Sequence, residues 1–530
     1  MLSDQWREGA IPRVSKRSDA EPRVHGGATA PGAKSGCGIA EGKSWMRVRA
    51  SLAAWCCVTA LVTTRGLCGV ATFVDRTAEL GLAIDTNAAC WVDIDNDGWV
   101  DLCAGGAVWR NDDGKRFARL ADVGTVVSAD YDNDGYADLF SWSSLRLYHN
   151  DGGKGFAEAP LPQLPRCVSR GACWTDFDND GSVDLYIGGY EDWDAGVTYP
   201  SIALRNTGDG LFVVAWTDER YRARGITACD FDEDGDADIY ASNYRLQPNV
   251  LWLNDGTGHF TDEAAGYNAV ATSEGFDGGH SIGAAWGDFD NDGHFDLFAG
   301  NFAHVDDRGD QPKSRFLRNL GPDASHSFED MGPCGVFYQE SYATPAAGDY
   351  DNDGDLDLFF TTVYGTASFG RPNHPVLYRN DRGFAFADAT AAAGLGGLPP
   401  TSQAAWADFD NDGDLDLVGG GKLFVNQGTG GHWLKVRLEG DGRAVNRWAV
   451  GAQARVSIDG GIVTRQVEAG TGEGNQNDLT LHFGLGAWAE PVTLEVRWPG
   501  GMVQRVENVL PDSTRIVRHG EANRGTGLGT

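Results

Sequence analysis

Positive charge is scarce in this chain. Its 530 residues hold 43 Lys and Arg against 76 Asp and Glu, a formal net charge of -33. A surface of that sign repels a phosphate backbone and attracts cations, which argues against nucleic acid as the natural partner. Several motifs are missing as well. No C-x-x-C pattern offers zinc or thiol redox chemistry, and neither an H-E-x-x-H nor a phosphate-cradling P-loop is present. The apolar run from Leu52 to about Val62 is too short for a comfortable membrane span.

That run follows Met46, Arg47 and Arg49, the layout of a secretory signal. Residues 1–70 are therefore expected to be a mis-called extension plus a signal starting at Met46, and the chain to be secreted, periplasmic or at the cell surface. The Arg65, Gly66 and Leu67 before Cys68 do not form a lipoprotein box. Export would leave Cys90, Cys103, Cys167, Cys173, Cys229 and Cys334. Cys167 with Cys173 and Cys90 with Cys103 are candidate disulfides, and buried free thiols are the alternative.

What is abundant is glycine, 73 residues, with 11% aromatics and many short apolar runs closed by Gly, Asn or Asp. This is the composition of a turn-rich all-β protein. One string recurs seven times: DIDNDGWVD, DYDNDGYAD, DFDNDGSVD, DFDEDGDAD, DFDNDGHFD, DYDNDGDLD and DFDNDGDLD. Every copy keeps Asp at positions 1, 3, 5 and 9, an aromatic or Ile at 2 and Gly at 6. The carboxylates are Asp93, Asp95, Asp97 and Asp101; Asp130, Asp132, Asp134 and Asp138; Asp176, Asp178, Asp180 and Asp184; Asp230, Asp232, Asp234 and Asp238; Asp288, Asp290, Asp292 and Asp296; Asp349, Asp351, Asp353 and Asp357; and Asp408, Asp410, Asp412 and Asp416.

Carboxylates at alternate positions of a tight loop converge on one hard cation, and the spacing suits the six to eight oxygens that calcium takes. Up to seven structural Ca2+ ions are expected. An EF-hand is excluded, because flanking helices and a Glu at position 12 are missing. Apolar strands flank these loops instead, such as GAAW before and DLFAGN after the fifth copy. A further strand, Asn/Gly turn and strand follow, as in LYHNDGGKGF from Leu147 and LYRNDRGFAF from Leu377.

Four antiparallel strands repeated seven times predict a seven-bladed β-propeller over 71–428. The seventh unit lacks a fourth strand, and ATFVDRTAELGL from Ala71, which echoes FADATAAAGL from Phe386, is expected to supply it. Beyond the ring, HWLKVRL, AQARVSI, LTLHFGL and VTLEVRW alternate as half-buried strands of a small β-sandwich-like domain over 429–520, before a disordered tail at 521–530. Arg447, Asn475, Gln476, His482, Arg497 and Trp498 form a polar set there, read chiefly as turn and inter-domain contacts.

The aspartate units resemble the FG-GAP or VCBS repeats of integrin α-subunit propellers and of many secreted bacterial proteins. Asn446, Arg447, HFGLG and VRWPGG resemble the ASPIC/UnbV domain that follows such repeats in the cartilage acidic protein family. The resemblance implies a secreted calcium-binding propeller followed by that domain.

Function is expected on the face opposite the aspartate loops. Long second-to-third-strand insertions occur only in blades three to six and carry Tyr190, Trp193, Tyr199, Tyr244, Phe302, His304, Tyr364, Phe369 and His374. Tyr190, Trp193, Tyr244, His304, Tyr364 and His374 are the candidate ligand-binding residues, for an extracellular protein or glycan. Packing of these rings within their own loops is the competing reading. A carbohydrate-active lyase or dehydratase is the alternative function, but no catalytic residue is assigned. The G-x-S-x-G string at Gly279–Gly283 leads into a strand rather than a strand-to-helix elbow, and the RGD at Arg308–Asp310 is short enough to arise by chance.

Overall fold

The computed structural model describes residues 71–306, 309–367, 370–458 and 460–521. The leader expected over 1–70, the tail from 522 onward, Arg308 of the RGD string and Phe369 lie outside them. Among the described residues no α-helix is formed, and none is long and apolar enough to cross a membrane.

Seven four-stranded antiparallel sheets form a propeller. The first blade runs outward through Cys90–Val92, Asp101–Ala104, Ala107–Asn111 and Phe117–Asp122. Blades two to six repeat this order, with inner strands at Val126–Ala129, Ser169–Thr175, Ala223–Cys229, Ser281–Gly287 and Tyr342–Gly348. In the seventh blade, Ala404–Ala407, Asp416–Gly419 and Lys422–Asn426 take Phe73–Asp75 as their outer strand, with Phe73 opposite Asn426. The two ends of the ring therefore share one sheet, and inner strands touch in order from the first blade round to the seventh and back.

Two repeated residues explain how adjacent blades register. The residue at loop position 2 is buried in every copy and packs into the following blade: Phe409 stacks on Trp91 at 6.3 Å, Phe231 on Trp286 at 5.9 Å, and Phe177 meets Phe260 edge-on at 5.1 Å. The Asn that ends each third strand then ties back to the preceding blade. Asn111, Asn150, Asn206, Asn254, Asn319, Asn380 and Asn426 donate Nδ2–H to the carbonyls of Phe409, Ile94, Tyr131, Phe177, Phe231, Phe289 and Tyr350, at 2.7–2.9 Å. Burial makes these bonds costly to lose.

The C-terminal unit is a two-sheet sandwich. Leu481–Gly486, His432–Glu439 and Ser513–Arg518 form one sheet, and Gly461–Gln466, Gln453–Ile458, Val492–Arg497 and Val503–Val509 the other. Leu434, Val436, Val456, Phe483 and Leu494 fill its core. All six described cysteines are free, so neither candidate disulfide forms, although Cys90 and Cys103 face each other across the first blade.

Candidate functional site

Each aspartate string forms the turn from an inner strand to the second strand. Gly at position 6 adopts φ between 85° and 98° in all seven copies, a region where a Cβ is strained. Its N–H is donated to Oδ2 of the position 1 carboxylate in every loop. The position 5 carboxylate accepts the position 7 N–H. Position 9 is buried and accepts N–H from the third-strand Asn, as Asp101 does from Asn111 at 2.6 Å.

Ligand atoms of positions 1, 3 and 9 lie within 4.8 Å of one another in Asp93, Asp95 and Asp101, in Asp130, Asp132 and Asp138, and in Asp176, Asp178 and Asp184. After the backbone bonds are counted, one buried oxygen at position 3 still accepts no hydrogen bond in six loops: Oδ1 of Asp95, Asp178, Asp232, Asp290, Asp351 and Asp410. Buried acceptors without donors are costly, and a hard cation at that point would satisfy them, so the donor set fits calcium. Burial pushes the Asp101 carboxyl to about 8, Asp138 to about 9 and Asp176 to about 7, with neighbouring aspartates adding to the rise. Holding these groups ionised requires positive charge nearby.

Position 4 links the loops to one another. Asn96, Asn133, Asn352 and Asn411 donate to the carbonyls of Gly135, Gly181, Gly413 and Gly98, so the stitching runs across the seam between blades seven and one. The fourth loop breaks the pattern with Glu233, which binds His294 at 2.5 Å, Arg455 at 2.9 Å and Arg497 at 2.6 Å. Both arginines come from the C-terminal sandwich.

That sandwich covers the aspartate face. Lys435 Nζ lies 2.8 Å from Asp408 Oδ2 and 2.7 Å from Asn411 Oδ1, Arg437 lies 3.3 Å from Asp93, and Arg447 N–H donates to Asn133. From the same side, residues 468–478 enter the ring axis and touch the inner strand of every blade. Gln476 exchanges backbone bonds with Ala89 and Trp91, and its side chain binds Ser128 twice. Asn475 Oδ1 accepts from Ala89 and Ala404. Ala469 and Gly472 carbonyls accept from Trp174 and Ile226, Thr471 reaches Ala284, and Asn477 reaches Ala347 and Trp406. Inner strands present unpaired edges to the axis, and this plug satisfies them. Its glycines permit the fit, since a Cβ on Gly474 would collide with the Trp142 indole.

The plug tip reaches the far mouth of the ring. Glu473 there is bound by Arg224 through Nε at 2.7 Å and Nη2 at 2.6 Å, and both residues are buried. A chain of ring and guanidinium contacts lies beside them. Arg224 lies over Tyr190 at 5.4 Å and Tyr244 at 5.0 Å; Tyr244 meets His280 at 4.8 Å and His280 meets His304 at 5.4 Å. His304 touches Phe302 at 4.7 Å, Phe302 touches Tyr364 at 5.7 Å, and Arg170 lies 5.5 Å from Tyr190. His304 Nδ1 is 2.7 Å from Glu340 Oε1. On the rim, Arg222 and Arg245 both bind Glu191, and Arg245 stacks on Trp193 at 3.9 Å.

Comparison with known proteins gives this arrangement a family. The FG-GAP-like repeat model matches residues 130–187, 176–241, 230–299 and 349–419, and the ASPIC and UnbV model matches 442–524. The chain is an FG-GAP-repeat protein with a C-terminal ASPIC/UnbV domain. It is 27% identical to cartilage acidic protein 1 of Xenopus tropicalis over 68% of this chain and 54% of that one, and 26% identical to the Homo sapiens protein over 64% and 51%. The chain thus spans about half the length of the curated relatives it matches. Among solved structures, an extracellular domain of the B. thetaiotaomicron system BT4673 aligns over 84% of this chain and 59% of that one at 8% identity, TM-score 0.40. A lectin of Agrocybe aegerita that recognises non-reducing terminal N-acetylglucosamine aligns over 59% and 81% at 16% identity, TM-score 0.38.

The first FG-GAP-type aspartate loop lies outside the matched stretches, yet it makes the same hydrogen bonds as the rest. Of the candidate ligand residues, the fold brings Tyr190, Tyr244, His304 and Tyr364 into the mouth and places Trp193 on its rim. Tyr190 and Tyr244 are buried, so packing within the face accounts for much of their contact. His374 lies apart, its backbone paired with Gln339 and its ring 6.2 Å from Phe337. Within the ASPIC/UnbV domain, Asn475 and Gln476 serve the plug, while His482 and Arg497 serve the docking surface; Trp498 instead packs on His519. Ser281 of the G-x-S-x-G string opens an inner strand and hydrogen-bonds Asn301. Sequence reasoning missed Arg170, Arg224, Glu340 and Glu473. Arginines inside the apolar inner strands SRGACWT and ARGITAC were the available signal; nothing local marked Glu473, whose partner is 249 residues away.

Proposed function

We propose that this protein is a calcium-stabilised extracellular binding module that recognises a glycan or protein through the face opposite its aspartate loops. The carrying observation is the division of labour between the faces. The seven acidic loops are stitched together and covered by the ASPIC/UnbV domain, whereas unrepeated insertions with arginines and aromatic rings edge the other mouth. The sequence match to relatives named for cartilage, an extracellular tissue, supports the setting. The position 3 oxygens without donors support calcium as the structural ion.

Glycan and ectodomain arrays probed with the full secreted chain test the reading. Saturable binding that mutations at the open mouth remove is expected, and binding abolished only by mutations on the aspartate face would overturn it. A second reading, a carbohydrate-active lyase or dehydratase, draws on the Glu340–His304 pair, since a carboxylate-oriented imidazole is a competent general base. Unsaturated products from a polysaccharide panel, lost in His304→Gln, would replace the first reading with this one.

A further inference from the structure

The stitch between neighbouring aspartate loops changes character between the fourth and the fifth. Elsewhere a position 4 Asn donates to the position 7 Asp of the next loop: Asn179 to Asp236, Asn291 to Asp355 and Asn352 to Asp414. Here a carboxylate and an imidazole stand in those places, with Glu233 Oε1 lying 2.5 Å from His294 Nδ1. A second imidazole joins them, and the stitch has no use for it. The fifth blade links its third and fourth strands by a longer turn than the fourth does, Asn319 to Phe328 against Asn254 to Phe260, and that turn brings His326 edge-on to His294, with ring centroids 5.7 Å apart. His326 is 8% exposed, and its Nδ1 is buried without a hydrogen-bond partner. One ligand atom from each of Glu233, His294 and His326 lies within 4.8 Å of the other two.

We infer that these three side chains bind one Zn2+ ion, separate from the calcium loops, which clamps the fourth and fifth blades beneath the docked ASPIC/UnbV domain. Two imidazole nitrogens and one carboxylate oxygen are the donor set of an open zinc site that completes its shell with water, whereas calcium takes oxygen ligands. Zinc would replace the hydrogen now between Glu233 and His294 and engage the His326 nitrogen that nothing else takes. Arg455 at 2.9 Å and Arg497 at 2.6 Å hold the two oxygens of Glu233, and hydrogen bonds of this kind orient a ligating carboxylate. They also set the cost. Both guanidiniums repel a cation, and Asp292, the other carboxylate facing His294, is itself held by Arg318. Affinity in the micromolar range is therefore expected. The site lies on the aspartate face, so it stands or falls independently of recognition at the far mouth.

The test is equilibrium dialysis of the untagged full secreted chain against Zn2+ in saturating calcium, with Co2+ as a spectroscopic probe of the same site. One equivalent of zinc is expected at micromolar free metal, and Co2+ in its place should show the visible bands of a four-coordinate, nitrogen-ligated ion. His326→Asn is expected to weaken zinc by about tenfold or more and to remove those bands. Asn tolerates the backbone of that position, at φ 55°, so the turn keeps its shape. His294→Gln should weaken zinc at least as much, while His259→Gln, on an exposed turn of the fourth blade, should leave it unchanged. Zinc should also raise the melting temperature of the calcium-loaded chain and fail to raise that of His326→Asn, a readout that compares each protein with itself. No zinc bound at micromolar free metal, zinc displaced by calcium, the weak bands of an all-oxygen octahedral Co2+, or equal binding in both histidine variants and the unmutated chain would overturn the assignment.

Discussion

The two faces of the ring follow opposite rules. On the aspartate face every blade repeats the same bonds: position 1 to Gly, position 5 to position 7, and the third-strand Asn to the blade behind. On the far face the residues that matter are shared by only some blades: Arg170 and Arg224 sit near the starts of two inner strands, Tyr190 and Tyr244 just past two second strands, and Trp193 in an insertion. Repetition serves stability, because each blade needs the same turn and the same link to its neighbour. Departure from the repeat marks specific contact, and this holds even within the repeated face. Glu233, which replaces Asn at position 4, is where Arg455 and Arg497 of the ASPIC/UnbV domain dock.

Calcium removal should break the comparison most strongly, because it strikes all seven loops and leaves the far face untouched. A site holding an ion at a hundred times its Kd contributes about 2.7 kcal/mol, so chelation is expected to lower the melting temperature sharply. The pH dependence adds a sign. Burial pushes Asp101 to about 8 and Asp176 to about 7, against about 3.9 for an unfolded Asp. Without the ion the folded state therefore binds more protons than the unfolded chain across that window, and its stability falls as pH rises from about 4 to about 8. Calcium needs the ionised form, so the melting gap between loaded and chelated protein should widen from pH 5 to pH 8. A constant gap would sever calcium from these carboxyls.

The docked domain gives the next effects. Lys435→Met leaves Asp408 buried without its cation, and breaking a buried pair costs about 3–5 kcal/mol. The loss should appear in denaturant midpoints, and calcium bound to the seventh loop would reduce it. Asn475→Ala orphans the Ala89 and Ala404 N–H groups on the axis, a cost of about 2–4 kcal/mol. Protease cleavage between Val467 and Thr480 should accelerate in this variant, and an unchanged digestion pattern would deny that the plug depends on it.

The difference between the faces also sets what could be read in the sequence. The aspartate strings, the strand following each and the echo between Phe73 and Phe386 are local and repeated, so spacing alone predicted blades and turns, and the register of Phe73 with Asn426 agrees with that pattern. The plug is neither local nor repeated. AGTGEGNQN looks like an ordinary glycine-rich loop, and its purpose appears only when seven inner strands, up to 386 residues away, surround it. The mouth was half legible: its tyrosines and His304 stood out as aromatic insertions, whereas Arg170 and Arg224 were hidden in strands that read as apolar. Burial explains the difference, since a guanidinium within a ring of tyrosines needs a partner carboxylate that only the distant plug supplies.

The smallest stability effect should come from Trp193, a residue proposed for recognition. Trp193 is 60% exposed and rests on Arg245 rather than in the core, so Trp193→Ala should change unfolding free energy by no more than about 0.5 kcal/mol, as surface substitutions do. The same change should weaken ligand binding severalfold. A chain destabilised by more than about 1 kcal/mol would mean that the rim of the far face shares the structural duty of the aspartate face. Loss of affinity at constant stability would instead separate the two faces as cleanly as their residues suggest: one built by repetition to hold, the other varied to recognise.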